Sequence, residues 1–229
     1  MSKIVRQSLL NRIIHWGIAI NVFLLIITGI FQLPVAKRYG INEIFLMHWS
    51  GDYSFNLVLH YIASFFLIVF VFFHIVFHIV RKEFDIFPKK GDLKQSFLII
   101  KSMLLKQKEP PSAKYLAEQR IAYFVIGSTL LLLIITGLLK SLKNLAGFNL
   151  NNEMYFYVAT LHNIGLFLII LAIFGHLSAF IFKENRKLLS AMFSGKVDAK
   201  YVLHRHGLWH KGIKEAKKVL QESIDKRPK

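Results

Sequence analysis

Ten histidines are spread along the 229 residues, and six of them, His15, His60, His74, His78, His162 and His176, fall in stretches without a single charged residue. Imidazole is both ionisable and a metal ligand, so its placement in an apolar stretch is costly and calls for a common cause. His60 and His74 are 14 residues apart, and so are His162 and His176. On an α-helix, 14 residues turn through about 1,400°, roughly 40° short of four turns, and rise about 21 Å. Both members of a pair therefore share a face, one near each end of the helix. Two histidines opposed at one depth suit the axial positions of a six-coordinate haem b iron, and two such levels suit two stacked haems. The chain has no cysteine, which excludes disulfides, thiolate zinc sites, iron–sulfur clusters and covalently attached haem c. At the lower level His15 and His74 compete to face His176. His78, one turn from His74, reads as an interfacial histidine. His48, His204, His206 and His210 read as solvated polar residues, and packing histidines are the alternative for the other six.

The elements that must carry these side chains are plain from the charge distribution. Of 30 Lys+Arg and 13 Asp+Glu, none falls within 13–33, 54–80, 121–139 or 156–182. A bilayer core about 30 Å thick needs about 20 apolar residues of helix, and the backbone there must satisfy its own hydrogen bonds. The prediction is an all-α integral membrane protein, a four-transmembrane-helix bundle. The continuous apolar runs argue against a barrel, and the first stretch reads as a retained helix rather than a leader. Residues 1–12, 81–120 and 183–229 hold 26 of the 30 Lys and Arg, and the two remaining loops hold four. By the positive-inside rule both termini are cytoplasmic. The net charge of +17 then reflects this asymmetry and attraction to anionic lipid, with no nucleic acid partner. Residues 1–182 read as the transmembrane domain and 183–229 as a basic, solvated, lipid-facing cytoplasmic tail. Within the inner loop, Phe97–Ile100 and Met103–Leu105 alternate with Lys94, Lys101 and Lys106. That pattern suits an amphipathic surface helix, broken by Glu109-Pro110-Pro111-Ser112.

A short repeat stands out. Leu24-Leu25-Ile26-Ile27-Thr28-Gly29 recurs as Leu132-Leu133-Ile134-Ile135-Thr136-Gly137, each copy one span ahead of a histidine pair. The Thr-Gly steps would admit a flat macrocycle or simply another helix.

Arg12-Ile13-Ile14-His15-Trp16 opening the first span, His60 in the second and His162 with His176 in the fourth resemble a known pattern. It is that of the di-haem cytochrome b subunits of membrane-bound respiratory formate dehydrogenases, nickel–iron hydrogenases and thiosulfate reductases. Lys114-Tyr115-Leu116-Ala117-Glu118-Gln119-Arg120 is similar to the Lys-Tyr-Asn-Ala-Gly-Gln-Lys element of formate dehydrogenase gamma subunits. Ser194-Gly195-Lys196-Val197 with Trp209 is similar to the Gly-Lys-Val…Trp ending of the same group. The resemblance spans nearly the whole chain. It implies an outer haem b on His60 and His162, and an inner haem b on His15 and His176, with His74 as the alternative to His15. It further implies a bacterial cytoplasmic (inner) membrane and electron transport in anaerobic respiration, from an iron–sulfur beta subunit served by a molybdenum or tungsten alpha subunit, to menaquinone (or ubiquinone) at the cytoplasmic face. Gln119 matches the family's quinone contacts. Leu116 and Glu118 replace its Asn and Gly, and Glu118 reads as a proton relay or as a solvated loop carboxylate. The chain itself would oxidise no formate. A hydrogenase or thiosulfate-reductase partner, a haem-free membrane anchor and a histidine-based transporter are the rival readings, and the oligomeric state is open.

Overall fold

A computed structural model describes residues 2–143 and 151–225. In chain order the elements are β1 (Lys3–Val5), α1 (Leu9–Gln32), the short α2 (Pro34–Arg38), α3 (Tyr53–Arg81), α4 (Asp92–Leu104), α5 (Ala117–Leu142), α6 (Asn152–Ser178), α7 (Lys183–Ser194), β2 (Lys196–Asp198), α8 (Ala199–Arg205) and α9 (His210–Asp225). α1, α3, α5 and α6, the last extended by a 3-10 turn to Ile181, are long and apolar enough to cross a membrane. They overlap the four charge-free stretches, with α1, α5 and α6 each beginning four residues earlier and α3 matching to within one residue at each end. Polar side chains set where they begin. Ser8 Oγ accepts from Asn11 N–H at 3.2 Å, Asp52 from Phe55 N–H at 2.9 Å, and Asn151 from Met154 N–H at 2.7 Å. At α5, Gln119 reaches back to the Leu116 N–H at 3.2 Å, one half of a capping box. Each bond satisfies an amide that has no partner within its helix.

The chain divides into two compact units. The first comprises 13–81 and 128–171. Its buried apolar residues include Val22, Ala63, Leu67, Leu130 and Ile169, and glycines admit close contacts with side chains. Phe70 lies so close to Gly17 that a Cβ there would sit 2.5 Å from the ring, and Leu133 crowds Gly165 in the same way at 2.9 Å. The outward faces carry exposed Phe65, Phe72 and Phe167. Such a surface suits hydrocarbon rather than water.

The second unit comprises residues 1–12, 82–127 and 172–229. β1 pairs antiparallel with β2 in the register Lys3↔Asp198, Ile4↔Val197 and Val5↔Lys196. Ile4, Ile99, Leu116, Leu188, Val197, Tyr201, Val202 and Ala216 form its core. Gly195, at φ +78°, ends α7, and its carbonyl accepts from the N–H groups of Arg6 and Gln7 at 2.8 and 3.1 Å. A side chain there would meet the Gln7 carbonyl at 2.8 Å. The amphipathic helix expected in the inner loop is α4: Ile99 is buried while Leu93, Phe97 and Leu104 are exposed.

The reading of 183–229 as a solvated tail needs correction where it is described. Residues 183–225 are largely helical and supply much of this core. His206 is not a solvated histidine but fully buried, with Nδ1 2.7 Å from the Ala113 carbonyl. Arg205 is also buried. It donates to Glu109 at 2.8 Å, to Asn185 at 2.7 Å and to the Tyr201 hydroxyl at 2.9 Å. Burial is tolerable because the guanidinium is paired with a carboxylate and bonded to two further oxygens.

Candidate functional site

In the first unit, α3 presents His60 and α6 presents His162, and their ring centres stand 6.5 Å apart at an interplanar angle of 68°. Each ring is bonded to a neighbouring helix. His60 Nδ1 lies 2.8 Å from Thr28 Oγ1 of α1, and His162 Nδ1 lies 2.9 Å from Thr136 Oγ1 of α5. The glycine after each threonine faces the same ring: a Cβ on Gly29 would sit 3.6 Å from His60 Cε1, and one on Gly137 would sit 3.3 Å from His162 Cε1. The repeated Thr-Gly steps thus serve the same purpose twice, packing helix against imidazole.

Both histidines line a cavity of about 490 Å³, within the usual range for cofactor sites of about 300–1,000 Å³. Its walls are aliphatic, including Val22, Leu25, Leu67, Ile68, Leu130, Leu133 and Ile169. Besides the two histidines, Tyr61, Ser64 and Asn163 add polar groups along the helices, and further polar residues lie at one end of them. Gln32 closes α1, Tyr53 opens α3, Lys140 and Ser141 close α5, and Tyr155 opens α6 beside Lys143. The Lys143 ammonium sits over the Tyr155 ring, 4.3 Å from its centre. An apolar slot with a cationic, hydroxylated rim matches a flat macrocycle that carries two carboxylates on one edge.

The ring separation fits as well. Two imidazoles bound through one nitrogen each to a single metal, with bonds of about 2.0–2.1 Å, hold their centres roughly 6–6.5 Å apart. Among the described residues no three His, Asp or Glu side chains converge on a point. A porphyrin iron needs only two protein ligands, because the macrocycle supplies the other four.

The lower-level candidates are divided between the units. In the first, the His15 ring meets Trp16 edge-on at 5.3 Å, and the His74 ring meets His78 at 4.5 Å. His176 belongs to the second unit, edge-on to Phe180 at 6.3 Å. Gln119 and Glu118 also lie in the second unit. The Gln119 side-chain oxygen takes bonds from Leu116 N–H and, at 3.3 Å, from Arg6, whose guanidinium also bonds the Lys114 carbonyl at 2.6 Å. This gives Gln119 a structural task at the head of α5. Glu118 is not solvated: both carboxyl oxygens are buried without a hydrogen-bond partner among the described residues, and Arg205, Glu109 and Arg120 are its charged neighbours. Arg120 itself is clamped to buried Asp92, with 2.7 Å between Arg120 Nε and Asp92 Oδ2.

Thr28 and Thr136 are the contacts of the two imidazoles that the histidine pattern alone overlooks. Their signal in the sequence is the repeat, whose threonine falls one span before each histidine pair.

A family model described as prokaryotic cytochrome b561 matches residues 6–195. The chain is 29% identical, over 237 aligned positions, to the cytochrome b556(Fdn) subunit of the nitrate-inducible formate dehydrogenase of Escherichia coli (strain K12). The alignment covers 98% of this chain and all of that subunit. The corresponding subunits of Escherichia coli O157:H7 and Shigella flexneri match to the same extent.

Proposed function

Since this chain belongs to the prokaryotic cytochrome b561 family, we propose that it is the membrane cytochrome b subunit of a respiratory formate dehydrogenase. In that role it accepts electrons from an external iron–sulfur beta subunit, itself served by a molybdenum or tungsten alpha subunit, and passes them to menaquinone (or ubiquinone) at the cytoplasmic side. The observation that carries the reading is the pair His60 and His162, set 6.5 Å apart in one apolar cavity with a lysine-bearing rim. His60 and His162 hold the outer haem b; His176 holds the inner one with His15, or with His74 in its place. When bound, haem b supplies the one-electron chemistry, and the protein supplies ligands, a dry cavity and orientation.

The other residues act around that chemistry. The aliphatic walls keep water from the reacting centre. Gln119 sits at the head of α5 beside the expected quinone position. Glu118, a carboxyl group withheld from water, hands cytoplasmic protons toward the reduced quinone. An electron that moves inward against about 100 mV costs about 2.3 kcal/mol, which the donor's redox drop must exceed.

The test is haem stoichiometry by the pyridine-haem method on the purified chain and on five variants, His15→Ala, His60→Ala, His74→Ala, His162→Ala and His176→Ala. Two haems in the parent are expected. One haem should be lost in the His60, His162 and His176 variants and in only one of the His15 and His74 variants. A colourless, iron-free parent would overturn the reading and leave a membrane anchor. Co-purification with hydrogenase or thiosulfate-reductase subunits instead would keep the cytochrome and replace the formate partner.

A further inference from the structure

The bonds from Thr28 and Thr136 to the histidines carry proton bookkeeping of their own. A hydroxyl has one proton to donate, and a backbone carbonyl can only accept. Thr28 Oγ1 lies 2.8 Å from the Leu24 carbonyl, and Thr136 Oγ1 lies 2.7 Å from the Leu132 carbonyl. Each hydroxyl proton is therefore committed to the preceding turn of its own helix. In the second bond of each hydroxyl the oxygen must accept, and the proton belongs to the imidazole Nδ1. Both rings then carry a proton on Nδ1, which leaves Nε2 as the nitrogen that would face a metal. Both threonines are buried, at 1% and 4% exposure, and a β-branched side chain bonded to the i−4 carbonyl has little rotameric freedom. The oxygens are thus fixed points that set how each ring is turned about its own axis.

The arrangement is duplicated. One copy of the repeat supplies the hydroxyl for α3, the other supplies it for α6, and the rings cross at 68°. A shared helix-packing role alone would not require both hydroxyls to meet the same nitrogen of two different histidines. We propose that Thr28 and Thr136 are positioning residues for the outer haem, one hydroxyl per axial imidazole, holding the tautomer and the crossed ring planes. The proposal rests on the haem reading above and adds residues that tune it. An acceptor on the distal ring nitrogen makes the ligand more electron-donating and favours ferric iron. A hydroxyl does this more weakly than a carboxylate would.

The experiment uses the full purified chain with its haem, in the parent, Thr28→Val, Thr136→Val, the double valine variant, and Thr28→Ser with Thr136→Ser. Potentiometric titration should show the outer haem's midpoint rising in each valine variant. The expected shift is about tenfold in the ferric/ferrous equilibrium, which is 59 mV for one electron. The low-spin ferric resonance of crossed imidazoles should move as a ring is freed to turn, and serine should restore both readouts. Valine variants that keep the parent's potential and ferric signal would overturn the proposal, and so would serine variants that behave like valine. Haem content of the parent, read in the same samples, separates the two layers. A haem-free parent ends the functional reading, while a haem-loaded parent indifferent to these substitutions ends only the positioning role.

Discussion

A carboxyl group costs free energy to hold away from water, so a buried one without a hydrogen-bond partner calls for a use. Among the described residues Glu118 is such a group, set one residue before Gln119 and among Arg205, Glu109 and Arg120. Its residue type is a departure from the glycine of the resembling element, so its role cannot be inherited from that element. If Glu118 hands protons to the quinone, Glu118→Gln keeps the shape and loses the exchangeable carboxyl proton. Quinone reduction by the intact complex at saturating donor should then fall by at least about tenfold, since groups that transfer protons in the rate-limiting step contribute about 10²–10⁴-fold. Haem content and haem reduction by the donor should stay unchanged. Unchanged turnover between pH 6 and 9 would assign Glu118 a purely structural place. The sequence made the histidines visible because a 14-residue spacing is local and repeats. It could not show the surroundings of Glu118, because one of its charged neighbours, Arg205, comes from a distant part of the chain.

The same distance effect governs the elements. The four long helices were legible because apolarity over 19 to 27 residues is a property of one stretch. The fold of 183–225 was hidden by its composition, since a basic, amphipathic run looks solvated until its partners are known. Those partners are β1 at the other end of the chain and the loop from Glu109 to Leu116, which α8 pins through Arg205 and His206. The Ser112 N–H also bonds the Arg205 carbonyl at 3.1 Å. His206 makes this pin sensitive to acid. Burial, reinforced by the nearby Arg6 charge, pushes its pKa down to about 4, whereas in the unfolded chain it titrates near 6.5. The unfolded state therefore binds the proton first, so stability is complete above pH ~6.5 and declines as pH falls toward ~4. A fall of 2–3 units corresponds to roughly 3 kcal/mol. Hydrogen exchange of the 109–116 amides should accelerate between pH 6.5 and 4, after correction for the intrinsic rate. His206→Gln, which cannot charge, should flatten that dependence. A parent whose corrected exchange is flat over this window would exclude His206 as the sensor. Asp92 acts lower on the scale: the hydrogen bonds from Arg120 hold its carboxyl below the usual range. Its contribution is present above about pH 3.9 and is lost only as pH drops through the lower folded value.

At the scale of the whole molecule the question is direction. Residues 1–12, 81–120 and 183–229 carry 26 Lys and Arg against four in the two other loops, and short loops rich in Lys and Arg stay cytoplasmic. In the proposed role the two outer loops are the face that receives electrons, and the cavity lining at Gln32, Tyr53, Lys140 and Tyr155 lies at the helix ends that meet those loops. Two of the four outer cations, Lys140 and Lys143, line that rim, where the carboxylates of a macrocycle would offset their cost. The absence of cysteine makes the orientation directly measurable, because single cysteines meet no background. Exposed Lys37, Lys108 and Lys214 are suitable positions. In intact spheroplasts a membrane-impermeant maleimide should label Lys37→Cys and spare Lys108→Cys and Lys214→Cys, which should react only after lysis. The inverse pattern would place the outer histidine pair on the cytoplasmic side. Electrons entering there and quinone protonated at the opposite face would then work with the membrane field rather than against it. The same helices and imidazoles would no longer store energy, so the labelling pattern decides whether this chain conserves energy or merely conducts.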